Sequence, residues 1–169
     1  MDECLTQRWD NAMKIKGLID EDIVNYKKIS MILEFPYCSF KCDKEFGKPV
    51  CQNSALAEAE KIDIDILSLI NRYINNPITR SIVCQGLEPV DSWEDLLLLI
   101  TEFRKRSDDD FVIYTGYKED EIKDKIEILK QFPNIIIKFG RYIPNQKPHH
   151  DDILGVDLAS DNQYAIKIS

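Results

Sequence analysis

The stretch FVIYTGYKEDEIKDKIEILKQFPNIIIKFG, residues 111–140, decides the fold of this chain. It begins with a short apolar run, Phe111 to Thr115, and ends with another, Ile135 to Phe139, and a glycine follows each run. The segment between them, Glu119 to Gln131, is long enough for a helix. A strand, a helix and a second strand in this order predict a βαβ unit, with a parallel sheet and a right-handed crossover.

The same alternation extends along the rest of the chain. Further apolar or alternating runs predict strands over Lys28 to Phe35, Arg80 to Cys84 and Gln163 to Ile168. Segments with few breakers predict helices over Ala55 to Asn75 and from the capping pair Asp91-Ser92 to Arg106. Residues 141–161 are rich in loop-forming residues. We therefore expect an α/β fold whose active site lies at the carboxyl ends of the strands.

Length and charge limit the domain count and the possible partners. A chain of 169 residues fits one domain, which we place at residues 13–169 after a short appendage, residues 1–12. The 22 Lys and Arg residues against 30 Asp and Glu residues give a net charge of −8, which argues against a nucleic-acid partner. The longest apolar stretch, around Leu96 to Ile100, is far shorter than the ~20 residues that span a bilayer. Because the acidic start also lacks a basic signal region, we expect a cytoplasmic protein without a membrane segment.

Three of the five cysteines form a compact motif directly after the first predicted strand. Cys38, Cys42 and Cys51 have the spacing C-x3-C-x8-C. Three thiolates can hold three irons of a 4Fe-4S cluster and leave the fourth iron open to an outside ligand. The alternatives are unrelated thiols, or a zinc site that Cys84 or the pair His149-His150 completes.

Further blocks, in order along the chain, make it resemble the radical S-adenosylmethionine superfamily, and within it the activating enzymes of anaerobic ribonucleotide reductase. The blocks are Asp22-Ile-Val-Asn25, the end of the cysteine motif at Cys51-Gln-Asn53, Gly86-Leu-Glu-Pro89, Tyr114-Thr-Gly-Tyr117 and Ala159-Ser-Asp-Asn-Gln163. The resemblance implies a partial, open (β/α)6-type barrel with a mostly parallel sheet. It also implies a 4Fe-4S cluster on Cys38, Cys42 and Cys51, with S-adenosylmethionine as the second cofactor.

The activity that this resemblance implies is radical generation. The reduced cluster cleaves S-adenosylmethionine, and the resulting radical takes a hydrogen atom from a glycine of anaerobic ribonucleotide reductase. An electron donor such as flavodoxin is the second implied partner. The alternatives are a radical enzyme that acts on a small molecule or a peptide, and a non-catalytic module that binds zinc or an iron–sulfur cluster.

The resemblance also assigns roles to residues outside the cysteine motif. The backbone of Gly86, Leu87, Glu88 and Pro89 would meet the methionine amine, since Gly86 permits close approach and Pro89 fixes the turn. Glu88 would orient that turn or accept a hydrogen bond from the amine. Asn53 would contact the cofactor or cap a helix, and Tyr114 and Thr115 would bond the ribose or simply end a strand. No side chain is needed as a general acid or base.

Several positions differ from the family pattern. The spacer Asp43 to Val50 has eight residues where the superfamily usually has two. Val50 stands where an aromatic residue usually precedes the third cysteine, with Phe46 as a possible substitute from the longer loop. Leu87 replaces the second glycine of Gly-Gly-Glu-Pro, and Lys138 lies where the family tends to have an aspartate before glycine.

Overall fold

A computed structural model describes residues 11–169 of the chain. Its strands are β1 (Ala12–Ile15), β2 (Gly17–Asp22), β3 (Ser30–Phe35), β4 (Ile62–Asp65), β5 (Ser81–Gly86), β6 (Asp110–Tyr114), β7 (Ile135–Phe139), β8 (His149–Asp151), β9 (Val156–Leu158) and β10 (Tyr164–Lys167). Its α-helices are α1 (Lys41–Phe46), α2 (Ser54–Glu58), α3 (Ile66–Ile74), α4 (Trp93–Arg104) and α5 (Lys123–Leu129). Two short 3₁₀ turns, Pro89–Ser92 and Glu119–Glu121, precede α4 and α5.

A six-stranded sheet forms the centre of the molecule, in the order β10-β7-β6-β5-β3-β2. The four inner strands are parallel, and the edge strands β2 and β10 run antiparallel to their neighbours. All five strands predicted from the sequence are present, and β6, α5 and β7 form the predicted βαβ unit with parallel strands. Short apolar runs of β-branched residues mark buried strands well, which explains this agreement.

The predicted helix over Ala55 to Asn75 is wrong, because β4 interrupts it and separates α2 from α3. β4 pairs antiparallel with β1, from Ala12 opposite Asp65 to Ile15 opposite Ile62. Asp65 then caps α3 by accepting a hydrogen bond from the Ser68 N–H at 2.8 Å. A partner strand far away in sequence thus overrides the local helical pattern.

The sequence analysis also missed strands at both ends of the chain. β1 and β2 precede the first predicted strand, and the segment expected to be loop-rich contains the hairpin β8–β9. Residues 1–10 of the proposed appendage lie outside the described residues, whereas Asn11 accepts a hydrogen bond from the Ile66 N–H at 2.9 Å and Ala12 begins β1.

The two faces of the sheet are covered differently. One face carries the larger apolar core, in which strand residues such as Leu33 and Phe111 pack with α3, α4 and α5. The opposite face carries a row of apolar residues, one from each parallel strand: Ile32, Val83, Val112 and Ile136. This row packs against Tyr26, Leu154 and Leu158, so the hairpin β8–β9 covers this part of the face.

A second row lies on this opposite face, nearer the carboxyl ends of the strands. Side chains alternate along a strand, so the residues two positions after the apolar row face the same way. They are Glu34, Gln85, Tyr114 and Lys138, and all four line a cavity. The hairpin thus covers the apolar row, and its strand β9 borders the cavity into which the polar row opens.

Candidate metal centre

A cavity of about 390 Å³ lies at the carboxyl ends of the four parallel strands. It collects nearly all site residues expected from the sequence: Cys38, Cys42, Cys51, Asn53, Gly86, Leu87, Glu88, Tyr114 and Thr115. Pro89 is buried and does not line the cavity, since it begins the 3₁₀ turn that leads into α4. Position at a common sheet edge, rather than nearness in sequence, brings these residues together.

The cysteine loop connects β3 to α2 and carries all three thiols of the motif. Two of the sulfur atoms accept backbone hydrogen bonds, Cys38 from the Phe40 N–H at 3.2 Å and Cys51 from the Asn53 N–H at 3.4 Å. Such bonds favour the thiolate, which is the form that binds a metal. Phe40 adopts a positive φ of 51°, which a bulky residue rarely does, at the start of α1.

The thiols are electrostatically coupled to one another. Burial raises the pKa of Cys38 to about 12, the Phe40 N–H opposes this rise, and Glu88, Asp91 and Cys42 add to it. Burial also raises the pKa of Cys42, with a further contribution from Cys51. Without compensating positive charge the protonated forms are therefore favoured, and iron would supply that charge.

Among residues 11–169, no three His, Cys, Asp or Glu side chains are already arranged to hold a metal ion. The three thiols nevertheless line one cavity, and two of them have backbone donors directed at sulfur. The other candidate ligands, Cys84, His149 and His150, do not line it, and Cys84 is buried in the core on the helix-covered face. The three thiols are therefore of the right chemical type for an iron–sulfur cluster. In this structure their sulfur atoms are not yet arranged to share one.

Two cationic side chains beside the thiols were not assigned a site role by the sequence analysis. Lys138 is 7% exposed and donates a hydrogen bond to the Gly140 carbonyl at 3.0 Å. Burial lowers the pKa of its ammonium group to about 8, and the nearby groups Glu88 and Cys42 oppose this lowering. Arg141 is buried and donates through Nη2 to Glu121 at 2.7 Å, while its Nη1 has no hydrogen-bond partner within the described part of the chain. Lys138 was detectable, since it lies two residues after Ile136 at the end of a strand.

Glu88 holds two strand ends together. It is 5% exposed, and its carboxylate accepts hydrogen bonds from the Val90 N–H at 3.1 Å, the Thr115 hydroxyl at 2.8 Å and the Gly116 N–H at 2.8 Å. These partners lie after β5 and after β6, so the side chain joins the two turns. Of the two roles considered for Glu88, this geometry matches orientation of the turn.

Burial raises the pKa of Glu88 to about 7 from its ordinary value of 4.5, against the lowering effect of its three hydrogen bonds. A carboxyl whose pKa is raised on folding stabilises the fold below pH 4.5 and loses that contribution as the pH rises to about 7. We expect the free energy of unfolding to fall by about 3 kcal/mol over this window through Glu88. Urea titrations at several pH values measure it.

Glu88→Gln is the control for this prediction, because the amide stays neutral throughout the window. In the variant, the free energy of unfolding should lose the part of its pH dependence that comes from Glu88. The neighbouring charged residues Asp91 and Lys138 are present in both proteins. An identical pH dependence in the two proteins would contradict the assignment.

Asn53 links the cysteine loop to the end of β5. Its side-chain amide donates to the Gly86 carbonyl at 2.7 Å, and it makes no side-chain capping bond to α2. Gly86 has a φ of 98°, and a Cβ there would lie 2.8 Å from the Phe35 nitrogen. Close approach of the β3 backbone therefore already requires glycine at this position. Approach of a cofactor to Gly86 stays a prediction.

The hydroxyl groups of Tyr114 and Thr115 already have protein partners. Tyr114 donates to the Asn25 carbonyl at 2.5 Å, and Thr115 both donates to Glu88 and accepts from the Tyr117 N–H at 3.0 Å. Their bonds tie the end of β6 to neighbouring turns. Contact with a ribose stays a prediction for both.

Two of the sequence blocks that carry the resemblance, residues 22–25 and 159–163, also stabilise turns by hydrogen bonds. Asp22 accepts hydrogen bonds from the Asn25 backbone at 2.8 Å and side chain at 3.1 Å, which shapes the turn beside the cavity. Gln163 accepts from the Ala159 N–H at 3.1 Å and donates to the Gly140 carbonyl at 3.3 Å. The hydrogen bonds of Gln163 thus fix the turn that follows Lys138.

Three thiols around a cavity at the carboxyl edge of a parallel sheet define a candidate iron–sulfur protein. The family described as 4Fe-4S single cluster domain matches residues 29–164, which is most of the chain, and this protein belongs to that family. The family is associated with radical S-adenosylmethionine proteins. Searches of curated proteins and of solved structures gave no match.

In the part of the chain that the structure describes, the helices are too short or too polar to cross a bilayer.

Proposed function

We propose that this chain is a radical S-adenosylmethionine protein built on a short, open form of the (β/α)6-type barrel. The observation that carries the proposal is that the three thiols and the Gly86–Glu88 turn line one cavity at the ends of parallel strands. Its volume of about 390 Å³ lies within the ~300–1,000 Å³ of small-molecule sites. Membership in the 4Fe-4S family supports the cluster as the first cofactor.

Cys38, Cys42 and Cys51 would hold the cluster. When reduced, such a cluster would supply one electron to the sulfonium of S-adenosylmethionine, which would release methionine and leave a radical on the 5′ carbon of the deoxyadenosyl group.

The remaining residues of the site position these groups. Lys138 and Arg141 place positive charge beside Cys42, which offsets the charge of a thiolate there. Asn53 ties the cysteine loop to the turn at Gly86, and Glu88 ties that turn to Gly116 after β6. Residues of β9 also line the cavity.

We further propose that the radical is passed to a glycine of anaerobic ribonucleotide reductase, with an electron donor such as flavodoxin, in the cytoplasm. A linear strand order from β10 to β2 leaves the sheet open between its two edges in the described residues. An open side suits a substrate that is a polypeptide segment, because a loop of another protein has to reach the cavity.

The test is anaerobic reconstitution of the full chain with iron and sulfide, followed by reduction with dithionite in the presence of S-adenosylmethionine. We expect 5′-deoxyadenosine and methionine in equal amounts, and no cleavage when dithionite is omitted. Addition of a cognate anaerobic reductase should then give the electron paramagnetic resonance signal of a glycyl radical.

The other outcomes select the alternatives. A clustered protein that leaves S-adenosylmethionine intact is a non-catalytic iron–sulfur module, and a colourless protein that takes up zinc is a zinc module. Cleavage without a glycyl radical on the reductase favours a small molecule or a peptide as the substrate.

A further inference from the structure

The eight-residue spacer between Cys42 and Cys51 is folded into a closed turn. α1 ends at Gly47, whose φ is 71° and whose N–H donates to the Asp43 carbonyl at 2.9 Å. The chain then reverses, and the Asp43 side chain accepts hydrogen bonds from the Val50 N–H at 2.7 Å and the Cys51 N–H at 2.9 Å. A single carboxylate oxygen thus holds both ends of the spacer.

The hydrogen bonds of Asp43 connect two of the proposed cluster ligands. Asp43 directly follows Cys42, and one of its two backbone partners is the N–H of Cys51 itself. The bonds therefore fix the backbone of one thiol relative to the backbone of the other. Closing a loop of this length costs conformational entropy, which hydrogen bonds to a charged acceptor offset.

We propose that Asp43 is a positioning residue, which holds Cys51 beside Cys42. It thereby keeps the two thiols together although the spacer between them has eight residues instead of two. This inference rests on the proposed ligand set of Cys38, Cys42 and Cys51. It does not depend on radical chemistry.

A cross-linking experiment without iron tests the inference directly. In a background of Cys4→Ser, Cys38→Ser and Cys84→Ala, only Cys42 and Cys51 remain, and dibromobimane becomes fluorescent when it bridges two thiols. We expect Asp43→Ala to lower the rate of bridging by about tenfold, since it removes two hydrogen bonds to a charged acceptor. Asp43→Asn keeps an oxygen acceptor without the charge, so its bridging rate should lie between the rates of the parent and of Asp43→Ala.

Asp65→Ala is the matched control, because Asp65 also accepts a backbone hydrogen bond, from Ser68 at 2.8 Å, but caps α3 outside the cavity. It should leave the bridging rate unchanged. Urea midpoints of all variants separate positioning from unfolding, and a slower rate in a folded Asp43→Asn variant supports the proposal even where Asp43→Ala unfolds.

The inference is overturned when folded Asp43→Ala or Asp43→Asn bridges at the parent rate, or when Asp65→Ala slows bridging equally. In the protein with all five cysteines, Asp43→Ala should also speed the loss of cluster iron to a chelator, with Asp43→Asn restoring part of the retention. Failure of the parent chain to take up a cluster would count against the proposed function and would leave the bridging result to decide the role of Asp43.

Discussion

Replacement of Cys42 by alanine is expected to abolish cluster binding, lowering iron from about four atoms per chain to background. Cys42 is the thiol that is electrostatically coupled to both Cys38 and Cys51, and the cations Lys138 and Arg141 also act on it. Loss of one ligand leaves two thiols, which cannot hold three irons. Iron and sulfide analysis after anaerobic reconstitution, with the visible absorbance of the cluster, measures the effect.

Cys84→Ala is the control for this experiment. Cys84 is fully buried in the core on the helix-covered face, where burial raises the pKa of its thiol well above the usual range. The variant should keep its iron, whereas Cys38→Ala and Cys51→Ala should behave like Cys42→Ala. Full iron content in Cys42→Ala, or loss of iron in a folded Cys84→Ala, would refute the proposed ligand set.

Substitution of Gly86 by alanine is expected to destabilise the fold by about 3 kcal/mol or more. The positive φ of 98° strains any L side chain, and the added Cβ would lie 2.8 Å from the Phe35 nitrogen and 2.9 Å from the Glu34 Cα. Both obstacles are backbone atoms of β3 and have little room to move. Urea denaturation measures the loss as a lower midpoint with a similar slope.

Gly47→Ala provides the comparison, because it shares the left-handed conformation without the crowding. Its φ is 71°, and a Cβ there would have no heavy atom within 4 Å. We expect a loss of about 1 kcal/mol, from backbone conformation alone. Equal losses in the two variants would show that close approach to β3 does not explain glycine at position 86.

Much of the sheet was predictable from local sequence. Runs such as Phe111 to Thr115 and Ile135 to Phe139 are short, apolar and followed by glycine, and each forms a strand of the sheet. Because parallel strands end at a common edge, the residues after them were expected to meet, and all but Pro89 line one cavity.

The features that the sequence did not reveal depend on distant partners. β4 exists because β1 pairs with it, although the local pattern of this segment favours a helix. The purpose of Gly86 depends on the nearness of β3, and Arg141 has to be placed beside Glu121 before its role emerges. Local periodicity carries no information about such contacts.

The role of the long cysteine spacer was also beyond sequence reasoning. Asp43 to Val50 stood out only as a departure in length. That Asp43 accepts hydrogen bonds from Val50 and Cys51 follows from the reversal of the chain after Gly47, which a count of residues does not predict.

Two walls of the cavity come from segments that lie far apart in the chain, one of them the hairpin β8–β9. Val156, Asp157 and Leu158 of β9 line the cavity on one side, and the cysteine loop, far away in the chain, lines it on another. Changes in β9 can therefore reshape the space for a guest molecule while the sulfur ligands stay untouched. The shape of the cavity is therefore free to diverge during evolution while the three cysteines are retained.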